Sequence, residues 1–371
     1  MILLGSTGSV GRQTLDVVAA LSRGFPAVLA AGTNDRLMEE QARRFRPKLV
    51  CLEDEAAGRR LKTALADMSV AVRSGAESIV EAAAYPGADT VLNALSGVRG
   101  LRPTLAALDA GKKLLLANKE SLVCGGSLVM KRAKRGIIPV DSEHSAVFQC
   151  LGGRGTDSVK KVVLTASGGA FRGFSRKQLE GVTPEVALRH PTWTMGPKIT
   201  VDSATLLNKG FELIEAMALF GLPFEKVGVV LHPESIIHSL VEYTDGAVLA
   251  QLANPDMRLP IQYALTCPDR MPSPVAPLDL AKLGTLTFAE PDRDAFRCLT
   301  LAERAAKAGG NMGAALCGAG EAAVESFLAG KTGFLGIEER IERALIRIPF
   351  IAEPTISDIL DTVELSRQTL L

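Results

Sequence analysis

Residues 2–21 read ILLGSTGSVGRQTLDVVAAL, and the order of residue types in this stretch decides the fold. Three apolar residues, Ile2–Leu4, are followed by glycines at 5, 8 and 11 and then by an amphipathic run, Arg12–Leu21. That is the pattern of a strand, a tight loop and a helix. The glycines permit a sharp turn and let the backbone approach a pyrophosphate at the helix N-terminus. A glycine pattern alone is a weak signal. Set between a strand and a helix, it points to a dinucleotide-binding unit.

The residues that follow repeat the alternation. A second strand, Ala27–Ala31, ends in Gly32-Thr33-Asn34-Asp35-Arg36. Dinucleotide folds that take NAD place a carboxylate at this strand tip to hold the ribose 2′-hydroxyl. Gly32, Thr33 and Asn34 occupy the tip here, with Arg36 just beyond, which favours a 2′-phosphate and hence NADPH. Asp35, displaced by a residue or two, is the competing ribose ligand. Further strands read at Leu49–Leu52, Thr90–Ala94, Leu114–Ala117 and Ile137–Val140, with a helix over Pro103–Ala110. Repeated strand–helix units predict a doubly wound, Rossmann-type parallel sheet with ligands at the carboxyl ends of its strands. Asn118-Lys119-Glu120-Ser121 and Asp141-Ser142-Glu143-His144 stand at two such ends. On an extended tip, Asp141 and Glu143 would project to one side and, with Glu212, suit Mg²⁺ or Mn²⁺. The alternative is that Asp141 caps the next helix and Glu143 sits in its first turn.

Beyond this unit the pattern changes. Lys160–Leu164 is a strand ending in Thr165-Ala-Ser167-Gly-Gly169, either an anion-binding nest or a plain turn. Residues 190–215, HPTWTMGPKITVDSATLLNKGFELIE, hold a loop with the only tryptophan and then a helix, with Ser203 as its expected N-cap and Gly221 as its stop. Thr205, Asn208, Lys209 and Glu212 would share one face of that helix, while Leu206, Leu207, Phe211, Ile214, Met217 and Ala218 form an apolar stripe. The polar row is either a solvated face with an ordinary Lys–Glu pair or a site with a phosphate at one end and a metal at the other. Val227–Leu231 leads to His232-Pro-Glu-Ser235, and Ile236–Tyr243 and Ala247–Leu252 flank a Thr-Asp-Gly turn, predicting a small antiparallel layer. His238, in the first arm of that hairpin, reads as structural by position. Pro268–Leu280 is linker-like. Ala295–Lys307, Met312–Leu328, Ile337–Leu345 and Ile356–Gln368 predict a C-terminal helical bundle.

Composition narrows the function classes. With 47% hydrophobic residues and a formal net charge of +1, the chain reads as a soluble globular protein without a bulk pull toward nucleic acid or anionic membranes. Its 6 cysteines show no CxxC pair, which fits a reducing compartment and argues against a zinc site. No apolar run is long enough to span a membrane. No targeting segment fits ahead of Ile2, so the expected setting is a bacterial-type cytoplasm.

The combination GSTGSVG, LLLANKES, PVDSEHSA, LTASGGAFR, HPTWTMG, DSATLLNKGFELIEA and LHPESIIHS resembles the 1-deoxy-D-xylulose 5-phosphate reductoisomerase family. The likeness runs in order through nearly the whole chain and extends to PDMRLPI (255–261) and EPTISDIL (353–360). It implies an α/β fold: a Rossmann-type nucleotide domain over 1–141, an α+β catalytic domain over 142–267 with a closing loop near 189–199, a linker over 268–291 and a helical domain over 292–371. The implied reaction isomerises and reduces 1-deoxy-D-xylulose 5-phosphate to 2-C-methyl-D-erythritol 4-phosphate with NADPH and Mg²⁺, Mn²⁺ or Co²⁺, in the non-mevalonate isoprenoid pathway. By resemblance, Asp141, Glu143 and Glu212 are the metal ligands. Lys119, Glu143, His190 and His238 are the catalytic set. Ser167, Ser203, Asn208 and Lys209 hold the phosphate and substrate backbone, Ser142, His190 and Glu212 line the substrate, and Trp193 and Met195 belong to the closing loop. Thr7, Gly8, Ser9, Val10, Gly32, Asn34, Asn118, Lys119, Glu120, Gly196 and Met257 would touch the nucleotide. A homodimer is also implied.

Two positions depart from the family pattern. Thr33 stands where a basic residue is common, leaving the phosphate preference to Asn34 and Arg36. Cys317-Gly-Ala-Gly-Glu321 replaces an asparagine-rich segment, predicting altered helix packing with activity kept. A semialdehyde or homoserine dehydrogenase would not require the carboxylate triad, and a dinucleotide-sensing regulator would have no use for triad, serine–lysine row and aromatic loop together.

Overall fold

The computed structural model describes the 371-residue chain except Arg23, His190, Pro191, Thr194 and 369–371. In chain order the first elements are β1 (Ile2–Leu4), α1 (Ser9–Leu21), β2 (Val28–Ala31), α2 (Asp35–Phe45), β3 (Leu49–Leu52), α3 (Glu55–Ala64), β4 (Ala71–Ser74), α4 (Ala76–Ala83), β5 (Thr90–Asn93), α5 (Leu101–Asp109), β6 (Lys113–Leu116), α6 (Glu120–Arg132), β7 (Ile137–Pro139) and α7 (Ser142–Leu151). Then come β8 (Val159–Ala166), α8 (Arg176–Leu179), α9 (Pro184–Ala187), α10 (Pro197–Ala204), α11 (Leu207–Phe220), β9 (Val227–Leu231), β10 (Ile237–Tyr243), β11 (Val248–Leu252) and α12 (Arg258–Thr266). The chain ends with α13 (Leu280–Leu283), α14 (Arg297–Ala308), α15 (Met312–Leu328), α16 (Leu335–Arg347) and α17 (Ile356–Gln368). Two compact units form: Met1–Ser121, Val129–Ser145 and Asp256–Ala276 make the first, and Leu122–Leu128, Ala146–Pro255 and Pro277–Leu371 make the second.

The first unit is built on a seven-stranded sheet in the order β4-β3-β2-β1-β5-β6-β7, parallel throughout. Its inner strands are continuous apolar runs because helices cover both faces of such a sheet. Ile2, Leu3, Leu4, Val28, Leu29, Val50, Leu52, Val91 and Leu92 are all fully buried. The core also takes Ile261 and Ala264 from α12, so a helix far along the sequence completes the first unit. β4 was not legible in the sequence. It is a short edge strand of largely exposed residues, and no burial pattern marks it.

The second unit holds a four-stranded sheet, β11-β10-β8-β9. The hairpin read at Ile236–Tyr243 and Ala247–Leu252 forms the antiparallel pair β10–β11, and the sheet as a whole is mixed: β8 pairs antiparallel with β10 but parallel with β9. The intervening α10 and α11 supply the crossover that a parallel pair requires. A second correction concerns 190–215. Ser203 is not an N-cap but lies in the last turn of α10, and the helix breaks at Leu206, which adopts φ 60° before α11 starts at Leu207. Gly221 ends α11 in the left-handed conformation, as expected. The four C-terminal helices pack on one another, α15 against α14, α16 and α17.

Candidate active site

In the first unit, the loop after β1 fits a dinucleotide. Gly5 has φ 86°, and a Cβ there would meet the Ala94 carbonyl oxygen at 2.3 Å. A Cβ on Gly11 would meet the Gly5 oxygen at 2.2 Å. Both glycines are therefore needed to fold the loop onto itself. Gly8 is the N-cap of α1 and offers no side-chain acceptor. The first amides of a 13-residue helix thus face out beside Thr7, Ser9 and Val10, an arrangement suited to an anion.

At the tip of β2, Asn34 caps α2 by accepting the Leu37 amide at 3.1 Å. Asp35, the competing ribose ligand, is engaged elsewhere: Arg60 Nε lies 2.5 Å from its Oδ2. The Arg60 hydrogen bond holds the Asp35 carboxyl below the usual range.

At the ends of β6 and β7 the two clusters read from sequence come together. Lys119 Nζ is 2.5 Å from Asp141 Oδ2, and both side chains are nine-tenths buried. His144 Nδ1 lies 3.9 Å from the other Asp141 oxygen, one helical turn along α7. Burial opposes the Asp141 charge, but Lys119 and then His144 outweigh it and hold this carboxyl well below its usual range. Ser142 Oγ donates to Glu143 Oε2 at 2.5 Å. Glu143 sits in the first turn of α7, not on an extended tip, so the alternation argument for Asp141 and Glu143 is replaced by helical spacing. Asn118 is 1% exposed, and its amide donates to the Leu95 and Gly97 carbonyls at 2.8 and 2.9 Å. In this geometry Asn118 shapes the loop that carries Lys119.

In the second unit, Gly168 and Gly169 both have positive φ, and a Cβ on Gly169 would meet the Ser203 carbonyl at 2.6 Å. This approach sets the Ser167 loop against the end of α10, bringing Ser167 and Ser203 to one place. Ser167 Oγ accepts the Gly169 amide at 3.2 Å. One turn into α11, Lys209 forms an ion pair with Glu212, both buried, and Asn208 donates to the same carboxylate at 2.5 Å. The polar row is therefore not a solvated face. Thr205 lies outside α11, and its hydroxyl returns to the Val201 and Asp202 carbonyls.

His238 on β10 is buried, and its ring centroid is 6.5 Å from that of half-buried Trp193. Burial first, then His232 and Lys209, lower its pKa to about 4 against a hydrogen bond with the Ala253 backbone. It is neutral at pH 7. His232 is structural: Nε2 accepts the Ile236 and Ile237 amides, Nδ1 meets the Thr287 carbonyl, and the ring stacks on Phe288. Burial raises the Cys51 and Cys150 thiols to about 11, so neither is a reactive thiolate.

Family models described as 1-deoxy-D-xylulose 5-phosphate reductoisomerase, its C-terminal domain and the DXP reductoisomerase C-terminal domain match residues 1–126, 137–220 and 252–369. The 1-deoxy-D-xylulose 5-phosphate reductoisomerase of Moorella thermoacetica is 54% identical over 349 residues, 92% of this chain and 90% of that protein. The chain belongs to the 1-deoxy-D-xylulose 5-phosphate reductoisomerase family. The relative from Caldanaerobacter subterraneus is 50% identical over 376 residues, covering 100% of this chain and 98% of its own. Among solved structures, the enzyme from Zymomonas mobilis in complex with NADPH aligns with TM-score 0.92 at 42% identity, over 100% of this chain and 97% of that one. A DOX-P reductoisomerase in complex with NADPH, fosmidomycin and magnesium aligns with TM-score 0.95 at 40% identity, over 100% and 96%.

Within the family frame, the expected residues divide between the units. Asp141, Ser142, Glu143, Lys119, Met257 and the glycine-loop residues stand in the first; Ser167, Trp193, Met195, Gly196, Ser203, Asn208, Lys209, Glu212 and His238 stand in the second. His190 lies outside the described residues. Met257 packs against the first unit's core, while Gly196 is exposed. Sequence reasoning missed His144 as the buried partner of Asp141, though its i,i+3 spacing in DSEH was a usable signal. It also missed Lys198, whose ammonium is 2.6 Å from buried Asp202 and stacks over Phe211.

Proposed function

We propose that the chain converts 1-deoxy-D-xylulose 5-phosphate into 2-C-methyl-D-erythritol 4-phosphate, using NADPH and a divalent cation, Mg²⁺ or Mn²⁺. The observation that carries this reading is the whole-length likeness to members of one family, one of them 54% identical. The donor sets fit both groups. The glycine loop leaves helix amides for a pyrophosphate, and Asp141, Glu143 and Glu212 offer the hard oxygens that Mg²⁺ prefers. When bound, the nucleotide supplies a hydride and the cation polarises the substrate's carbonyl and neighbouring hydroxyl.

The remaining work falls to side chains. Thr7, Gly8, Ser9 and Val10 seat the nucleotide phosphates, Gly32 and Asn34 its adenosine end, and Asn118, Lys119, Glu120, Gly196 and Met257 its other half. Ser167, Ser203, Asn208 and Lys209 hold the substrate phosphate, whose binding energy is available to order the reacting carbons. Lys119, held by Asp141, places a cation beside developing negative charge. Ser142, His190 and neutral His238 orient the substrate, and Trp193 and Met195, on the loop 189–199, exclude water. In this reading 1–141 handles nucleotide, 142–267 carries the chemistry, and 268–291 links to the bracing helices of 292–371. A homodimer in a bacterial cytoplasm, with no nucleic-acid or membrane partner, completes the proposal.

The test is the carbon skeleton of the product. Substrate carrying ¹³C, NADPH and Mg²⁺ should yield a branched 2-C-methyl tetritol phosphate by NMR. An unbranched reduced pentulose phosphate would make the chain a simple reductase and contradict the proposal.

A further inference from the structure

The tip of β2 holds a carboxylate where the proposed cofactor would bring a phosphate. Asp35 is the first residue of α2, three positions past Gly32, in the region where dinucleotide folds read the ribose 2′ substituent. An uncompensated carboxylate there attracts a 2′-hydroxyl and repels a 2′-phosphate. The structure shows compensation from the neighbouring helix. Arg60, on α3, directs Nε to Asp35 Oδ2 at 2.5 Å.

The approach is built into the fold. The Asp54 amide donates to the Gly32 carbonyl at 3.2 Å, and the Asp54 side chain caps α3 by accepting the Ala57 amide at 2.7 Å. The start of α3 is thereby tied to the same tip that carries Asp35, and Arg60 emerges one turn later. Asp35 is only 20% exposed, whereas the Arg60 side chain is 60% exposed, so the carboxylate is the covered partner. Arg36, the next residue, is exposed and has no ion-pair partner among the described residues.

We propose that Arg60 is a specificity-determining residue that acts through Asp35: it neutralises and withdraws the Asp35 carboxylate at the strand tip, so that the site takes NADPH over NADH. This rests on the functional reading above but concerns only the choice of nucleotide. It also accounts for Thr33. With Asp35 cancelled by Arg60, Arg36 suffices without a second cation at the strand tip.

The experiment compares NADPH and NADH binding to the full chain by nicotinamide fluorescence titration, with KM for each nucleotide as a second readout. Arg60→Gln should weaken NADPH by roughly three- to fivefold, the scale of an exposed charge interaction, and leave NADH unchanged or bound somewhat more tightly. Arg60→Lys should keep parent behaviour. Asp35→Asn combined with Arg60→Gln should restore NADPH affinity, since the carboxylate is gone. The Arg60→Gln effect should shrink as salt is raised. An equal loss for both nucleotides, or a loss that persists in the double variant, would overturn the role through Asp35; the latter result would make Arg60 a direct phosphate contact. A parent chain that binds neither nucleotide would overturn the functional reading itself, and this proposal with it.

Discussion

Single residues carry opposite electrostatic assignments. Glu212 is buried and held by Lys209 and Asn208, so its carboxylate is oriented before any ligand arrives. Glu212→Gln keeps the shape and the Asn208 contact but removes the charge. Turnover should fall by about two orders of magnitude or more, the scale of lost metal or transition-state stabilisation, with NADPH affinity within about twofold of the parent. Loss of turnover and nucleotide binding together would make Glu212 a structural residue. His238 works the other way, as a buried neutral ring whose pKa is lowered to about 4. Its ordinary value lies near 6.5, so between these values the unfolded chain binds more protons than the folded one. Stability therefore rises with pH across that window, is fully present above about 6.5, and is lost as pH falls toward 4. The full difference is roughly 3 kcal/mol. Urea unfolding of the parent and of His238→Asn across this window should show a visibly shallower pH dependence in the variant. Coincident pH profiles would place the proton elsewhere.

Elements were legible where burial imposes a period. The strands of the parallel sheet could be read because two covered faces demand continuous Val, Ile and Leu. β9, α15 and α17 appear with the boundaries read from sequence. β4 could not be read because an exposed edge imposes no pattern, and the α10–α11 break could not because Leu206 is a non-glycine residue at positive φ. The site was legible as residue types near strand ends. Its buried pairings, Lys119–Asp141 and Lys209–Glu212, depend on which helix face turns inward, and a polar row does not say that. The Cys317–Glu321 departure has a packing explanation. A Cβ on Gly318 would lie 2.4 Å from the Val363 carbonyl, so this glycine lets α15 and α17 approach backbone to backbone. Ala would raise helix propensity by about 1 kcal/mol, yet the backbone oxygen cannot yield as a side chain would. Gly318→Ala should therefore destabilise the second unit by about 1–3 kcal/mol in thermal or urea unfolding. A stabilised variant would show that the two helices have room.

At the scale of the molecule, the chain is two compact units that carry different sets of side chains. The first offers helix amides and the Lys119–Asp141 pair; the second offers the hydroxyls, amide and ammonium suited to a phosphate, with an aromatic loop beside His238. Composition supports small-molecule chemistry, since a net charge of +1 provides no large single-sign field. No described helix is long and apolar enough to cross a membrane. One reaction needs the nucleotide, the divalent cation and the phosphorylated substrate together in the proposed function. That requirement is tested most directly by following absorbance of the reduced nicotinamide with 1-deoxy-D-xylulose 5-phosphate, before and after chelation of divalent metal. Oxidation of NADPH should stop on chelation and return when Mg²⁺ or Mn²⁺ is restored. Oxidation that continues without metal, or none at all from a folded chain that binds NADPH, would contradict it.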